Sequence, residues 1–247
     1  MNIVLLGHDD IASKIALNLI VARLPEHRYR LYLSGRLADG GHPLPNRLGQ
    51  LGELDRQFCA SLPWAVTRDT EDLPAPNSED GLAALEACDP DLFISVRYRR
   101  ILHARAIAIP RHGVLNLHSG LLPAYRGVMA TFWAMLNGEQ EIGCTLHAIV
   151  DHTIDTGPII GLSRNPVRTE WSYLANVLEL YPPACRMVTD AVMRIFAGEP
   201  LGLAAQTGEG HYYSTPRSRD LNRFAARGFR LADPGDLDAF LARHAKY

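Results

Sequence analysis

The stretch Asn116-Leu117-His118-Ser119-Gly120-Leu121-Leu122-Pro123-Ala124-Tyr125-Arg126-Gly127 sets an amide and an imidazole two residues apart. On a strand, such side chains point the same way. A hydrogen-bonding amide would then stand beside a group that exchanges protons near neutrality. Downstream, His147-Ala148-Ile149-Val150-Asp151-His152-Thr153-Ile154-Asp155-Thr156-Gly157-Pro158 carries Asp155 in an apolar, glycine-rich setting. A carboxylate there is either a turn former or a functional group. His147, Asp151, His152 and Asp155 are all metal-ligand types, but on a strand and turn they need not converge, and no metal is expected. Taken singly, Asn116, His118 and Asp155 read as a cap, a structural histidine and a turn residue. Their combination points to chemistry.

The surrounding elements read as an α/β order. Ile3–Leu6, ending at Gly7, is a buried parallel strand, and Ile11–Leu24 has helical spacing closed by Pro25. Tyr29–Leu33, Trp64–Val66, Asp91–Val96 and Val114–His118 are further strands. Leu48–Leu62, Asp80–Cys88 and Ile101–Ile109 read as helices, and Leu37–Arg47 and Thr67–Ser78 as loops. Strand and helix alternation predicts an open, mostly parallel sheet with helices on both faces, binding ligands outside the strands' carboxyl ends. Beyond it, Ala130–Leu136 is a helix ending at Asn137-Gly138, and Gly143–Val150 is a strand. Pro158–Ile160 and Val167–Arg168 suggest two more strands, so the C-terminal part looks mixed. Ser172–Phe196 is helical with a break at Pro182-Pro183, and Asp233–His244 is a short helix. The expected organisation is a catalytic domain over residues 1–200 and an extension over 201–247, packed on or near it.

The 247 residues are 47% hydrophobic and 21% charged, with 25 Lys and Arg against 27 Asp and Glu. That balance gives no general drive toward nucleic acid or an anionic membrane. Cysteines 59, 88, 144 and 185 form no CxxC pair and read as buried thiols in a reducing compartment. The N-terminus has no basic leader, and its apolar run is too short to span a bilayer, so a cytoplasmic location is expected. No dinucleotide fingerprint, Walker A sequence, HExxH or GxSxG occurs.

The sequence NLHSGLLPAYRG, followed by GCTLH and DTGPII, resembles the folate-dependent formyltransferases, which include glycinamide ribonucleotide transformylase, amino-sugar N-formyltransferases and hydroxyornithine transformylase. The resemblance covers Asp91 to Ile160 and extends weakly to the first strand. It implies a Rossmann-like formyltransferase sheet, 10-formyltetrahydrofolate as co-substrate, and Asn116, His118 and Asp155 as the catalytic triad. Asn116 would donate to the oxyanion of a tetrahedral intermediate. His118 would donate to it or move a proton, and Asp155 would orient His118. The chemistry needs no metal. The folate would lie between the loop after Asp91–Val96, with Arg97, Tyr98, Ile101 and Leu102, and the loop holding Val150 and Asp151. Gly120 departs from the usual serine of the motif, which would widen the site or soften the turn.

Candidate acceptor contacts are His8, Asp9, Arg126 and Tyr212. Arg126 suits a phosphate or carboxylate, or it anchors its loop. Tyr212 and Tyr213 either stack on a nucleobase or pack the tail. His8-Asp9-Asp10 lacks the glycines of a phosphate loop, and its carboxylates favour a polar or cationic acceptor, unless they only cap a helix. The expectation is therefore a small-molecule amine such as hydroxyornithine, with a nucleotide-linked amino sugar as the first alternative. A formyltetrahydrofolate hydrolase and a folate-binding protein without transfer activity follow. The expected partners exclude nucleic acid and membrane and leave a homodimer open.

Overall fold

Ile3, Val4, Leu5 and Leu6 are all buried, as a run apolar on both faces requires of a central parallel strand. In the computed structural model, which describes residues 1–35, 45–66, 70–73 and 75–244, this run lies in β1 (Asn2–Gly7). After it come α1 (Ile11–Arg23), β2 (Arg28–Leu33), α2 (Asn46–Ser61), β3 (Thr70–Asp72), α3 (Glu79–Glu86), β4 (Leu92–Val96), α4 (Ala104–Ile107) and β5 (Val114–His118). The second half adds β6 (Arg126–Gly127), α5 (Ala130–Asn137), β7 (Glu141–Ile149), β8 (Ile159–Pro166), α6 (Tyr173–Leu178), α7 (Tyr181–Phe196), β9 (Tyr212–Tyr213), α8 (Ser218–Ala226) and α9 (Asp236–Arg243).

Seven strands form one sheet in the order β3-β2-β1-β4-β5-β7-β8. Strands β1 to β5 pair in parallel, whereas β7 runs antiparallel to β5 and β8 antiparallel to β7. This is the open, mostly parallel α/β sheet with a mixed C-terminal part. The order reverses between β1 and β4, the crevice where such sheets place ligands.

Each face has its own core. Leu5, Leu31, Ile94, Leu115, Leu117 and Leu146 pack with α1, α2, α6 and α7 in the larger one. Val4, Leu6, Tyr32, Phe93 and Val114 pack with α3 and α4 in the smaller one. Asp10 starts α1 by accepting the Ser13 N–H at 2.8 Å, the N-cap role foreseen for it.

Several elements differ from the sequence reading. Trp64–Val66 is not a strand; Trp64 and Val66 lean on the larger core, and the edge strand is the polar β3 within the expected loop. The loop expected over 37–47 falls largely on residues outside those described, and α2 already begins at Asn46. Helix α4 has one turn, Ala104–Ile107. The first strand expected after Pro158 runs on as β8 to Pro166, and Val167-Arg168, expected to belong to a further strand, lies just beyond its end. The break in the long helix comes at Glu179-Leu180, because prolines 182 and 183 occupy the first turn of α7, where no N–H partner is required.

Residues past 200 complete the larger core. Leu221, Phe224, Leu237 and Phe240 are buried in it, and the Phe224 ring stacks on Phe132 with centroids 4.5 Å apart. Replacing Phe224 by Ala is expected to lower the unfolding free energy by about 3–5 kcal/mol, measured by urea titration followed by circular dichroism. A loss below about 1 kcal/mol would mean that the C-terminal helices pack only loosely.

Candidate active site

Alternation along β5 divides its side chains between the two faces. Leu115 and Leu117 enter the larger core, while Val114, Asn116 and His118 face the side of α3 and α4. Val114 closes the smaller core, and the next two positions on that face are polar. Asn116 pairs across the ladder with His147 of β7, and His118 with Thr145. The loop between β7 and β8 folds back over this face and delivers Asp155.

The four side chains form one cluster. Asn116 Nδ2 lies 3.0 Å from His147 Nε2. The Asp155 carboxylate faces both imidazoles, with Oδ2 at 3.5 Å from His118 Nδ1 and Oδ1 at 3.5 Å from His147 Nε2. Asp155 Oδ2 also accepts the Gly127 N–H at 2.8 Å. Burial would push this carboxyl up, but the His118 and His147 rings in their cationic form and the Gly127 N–H outweigh it and hold the pKa at about 2. Asp155 is therefore ionised at neutral pH with its side chain only 10% exposed.

Carbonyl partners fix the neutral tautomers, since a carbonyl oxygen only accepts. His118 Nε2–H donates to the Tyr125 carbonyl at 2.7 Å, leaving Nδ1 toward Asp155. His147 Nδ1–H donates to the Ala148 carbonyl at 3.1 Å, leaving Nε2 to accept from the Asn116 amide. One Asn116 N–H and its carbonyl oxygen remain for a ligand. The His118 Nε2 proton, expected to meet an oxyanion, points to main chain.

Gly120 neither widens the site nor slackens the turn. A Cβ there would stand 2.6 Å from His118 Nε2, 2.6 Å from Ala130 Cβ and 2.7 Å from the Tyr125 carbonyl oxygen. Thr145 pins the same turn, donating from Oγ1 to the Gly120 carbonyl at 2.7 Å and accepting the Leu122 N–H at 3.1 Å.

The two loops suggested for the folate meet side by side, with the His103 and His152 rings edge to face at 6.4 Å. Ile101, Val150 and Ile154 are exposed along them, an apolar edge of the kind a flat heterocycle covers. Arg97, Tyr98 and Leu102 turn toward the protein instead, while Asp151 stays in an exposed turn. The half-buried Arg97 lays its guanidinium against Asp10, with Nε at 2.9 Å from Oδ2. The Tyr98 hydroxyl donates to the Leu73 carbonyl at 2.6 Å, and Leu102 belongs to the smaller core. Asp151 accepts the Thr153 N–H at 2.7 Å, an exposed turn former.

Around β1, His8 Nδ1 lies 2.8 Å from Ser34 Oγ. Burial first, then Arg99, with smaller parts from Arg97 and Arg100 and against the opposing pull of Asp10, lowers its pKa to about 4. His8 is therefore uncharged at neutral pH. Asp9 is exposed. Arg126 Nη2 donates to Gln206 Oε1 at 2.9 Å, so its fork is tied to the protein. The two tyrosines of β9 part ways. Tyr213 lies against Tyr125 and Trp133 at 5.4 and 5.1 Å, while the Tyr212 ring lies over Gly127 and is 57% exposed.

Sequence reasoning weighed His147 only as a metal ligand and passed over Gln206. The signal for His147 was its place on β7, legible only once Asn116 is known to be its ladder partner. Gln206 has no local signal, because its contacts lie about fifty residues or more away.

Residues 66–173, which hold the whole cluster, match the formyl transferase family. The chain is similar to that family over this segment. It is 36% identical over 118 residues to a methionyl-tRNA formyltransferase of Synechococcus sp. (strain JA-3-3Ab), covering 48% of this chain and 36% of that one. It is 34% identical over 140 residues to a GDP-perosamine N-formyltransferase of Brucella melitensis, covering 57% and 53%. The chain thus spans about half or less of these relatives' lengths. The fold recurs in the formyltransferase PseJ from Anoxybacillus kamchatkensis, with a TM-score of 0.52, 18% identity, and 91% and 89% coverage.

Two outcomes test this geometry. Gly120→Ala is expected to displace the His118 ring and to cost about 1–3 kcal/mol of stability; a crystal structure of the variant with His118 unmoved would contradict it. Because the Asp155 pKa is lowered on folding, its contribution is present above the ordinary carboxylate value and is lost as pH falls from about 4 to about 2. The stability gap between the wild type and Asp155→Asn should therefore narrow over that window in acid titrations, by about 2 kcal/mol.

Proposed function

We propose that this chain transfers a formyl group from 10-formyltetrahydrofolate to the amine of a nucleotide-linked amino sugar. The observation that carries the acceptor class is the charge around the end of β1. The carboxylates of the His8-Asp9-Asp10 loop gave reason to expect a polar or cationic acceptor. Asp10 is neutralised by Arg97 and approached by Arg99 at 3.4 Å. Arg100 reaches the same loop region through the Ser34 carbonyl at 3.0 Å. Three guanidiniums at the sheet's switch point favour an anion such as a nucleotide diphosphate. The lean toward hydroxyornithine gives way on that ground. Two known proteins support the same direction, the Brucella enzyme named for GDP-perosamine and the Anoxybacillus structure, which contains UDP-4,6-dideoxy-4-formamido-L-AltNAc and tetrahydrofolate.

In this reading the folate's ring lies along Ile101, Val150 and Ile154, and the formyl carbon meets the acceptor nitrogen beside Asn116. As the new C–N bond forms, the carbonyl oxygen becomes an alkoxide, which the free Asn116 N–H stabilises. The acceptor nitrogen gives up a proton, and the folate nitrogen gains one as its bond to the formyl carbon breaks. Ionised Asp155 between two imidazoles can hold that proton in the interval, on His118 Nδ1 or His147 Nε2. A proton on His147 Nε2 turns that nitrogen from accepting the Asn116 amide to facing Asp155, which releases a second amide N–H to the alkoxide.

The test offers 10-formyltetrahydrofolate with GDP- and UDP-linked amino sugars, hydroxyornithine and methionyl-tRNA, following products by mass. A formylated sugar nucleotide is the expected product. Product from hydroxyornithine or the tRNA alone, or formate released without any amine, overturns the proposal. With the sugar nucleotide, Tyr212→Ala should raise KM about tenfold with kcat little changed, the loss of one stacking contact.

A further inference from the structure

We infer that Gln206 is a positioning residue, the strut that sets the Asp155 carboxylate between its two histidines. This rests on the transfer reading to the extent that Asp155 takes part in it. Asp155 has a left-handed backbone, φ 55°, uncommon for a residue with a side chain although aspartate adopts it more readily than most. Gln206 holds the main chain in that conformation. Its Nε2 donates to the Asp155 carbonyl at 2.9 Å and to the Gly157 carbonyl at 2.8 Å. Its Oε1 accepts from Arg126 Nη2 at 2.9 Å.

Residue 127 closes the circle, because the Gly127 N–H donates to Asp155 Oδ2 at 2.8 Å. The ring thus runs from the Arg126 side chain through Gln206 to the Asp155 main chain, and back through the Asp155 carboxylate to the neighbour of Arg126. The segment carrying Gln206 is fastened on both sides. Ala204 exchanges main-chain bonds with Ile159 at 2.7 and 2.8 Å, and the His211 carbonyl accepts the Arg126 N–H at 2.9 Å. Gly210 leaves room for the Arg126 fork, since a Cβ there would stand 2.7 Å from its central carbon.

Only an amide serves this position. It needs two donors for two carbonyls and an acceptor for a guanidinium. Glutamate has the length but no donor, and its charge would face two carbonyl oxygens.

The experiment compares wild type, Gln206→Glu and Gln206→Leu in the full chain. It records kcat, KM for 10-formyltetrahydrofolate, Tm, and the ¹³Cγ titration of Asp155, with its signal assigned from Asp155→Asn. With the strut gone, the carboxylate leaves the Gly127 N–H and the imidazoles of His118 and His147, the groups that face it. Both variants should lose about 10²-fold in kcat, the scale of an ångström's misplacement, with KM nearly unchanged. The Asp155 midpoint should rise toward the ordinary value of about 3.9. An unchanged midpoint in a folded variant overturns the inference, whatever the rate. The titration needs no substrate, so it decides the strut even if wild type forms no product. That failure would count against the transfer reading alone.

Discussion

A carboxylate drawn almost entirely out of water has to be compensated by groups already in place, because an unpaired buried charge costs several kcal/mol. Asp155 is such a group, and much of the neighbouring architecture supplies its compensation. Strand β5 brings His118, strand β7 brings His147, and the turn between β5 and α5 brings the Gly127 N–H. Two neighbouring strands and the segment that follows the first of them converge on two oxygen atoms. The tight turn at Gly120 follows from the same demand, since it lets the His118 ring reach the Tyr125 carbonyl and so fixes which nitrogen faces Asp155.

The polar cluster stands where the smaller core ends. Along the α3 and α4 face, Val4, Leu6 and Phe93 meet apolar helices, and Val114 is the last of them on β5. Asn116, His118 and His147 continue the same face without a helix to cover it, and the loop bearing Asp155 takes the helix's place. That arrangement gives the molecule a wall of exposed apolar side chains, Ile101, Val150 and Ile154, beside a charged centre.

What could be read from the sequence was what is local or periodic. Apolar runs gave the parallel strands, and two-residue spacing put Asn116 and His118 on one face. Edge strand β3 escaped because Thr-Glu-Asp carries no apolar residue to declare it, whereas Trp64 and Val66 are apolar for a different reason, as cover for the larger core with the Lys14 ammonium over the Trp64 ring. The loop after β1 looked acidic because the arginines that neutralise Asp10 stand 87 and 89 residues away. His147 and Gln206 were hidden for the same reason. Their meaning lies in partners that only the folded chain brings near.

The alternation on β5 ties two requirements to one phase. Leu115 and Leu117 fill one core while Asn116 and His118 serve the other face, so a slip of one residue would drive an amide and an imidazole into hydrocarbon and turn two leucines toward the ligand. Chemistry and folding at this strand therefore cannot drift apart. The loops around β5 carry no such phase constraint, while these five residues can change only as a set.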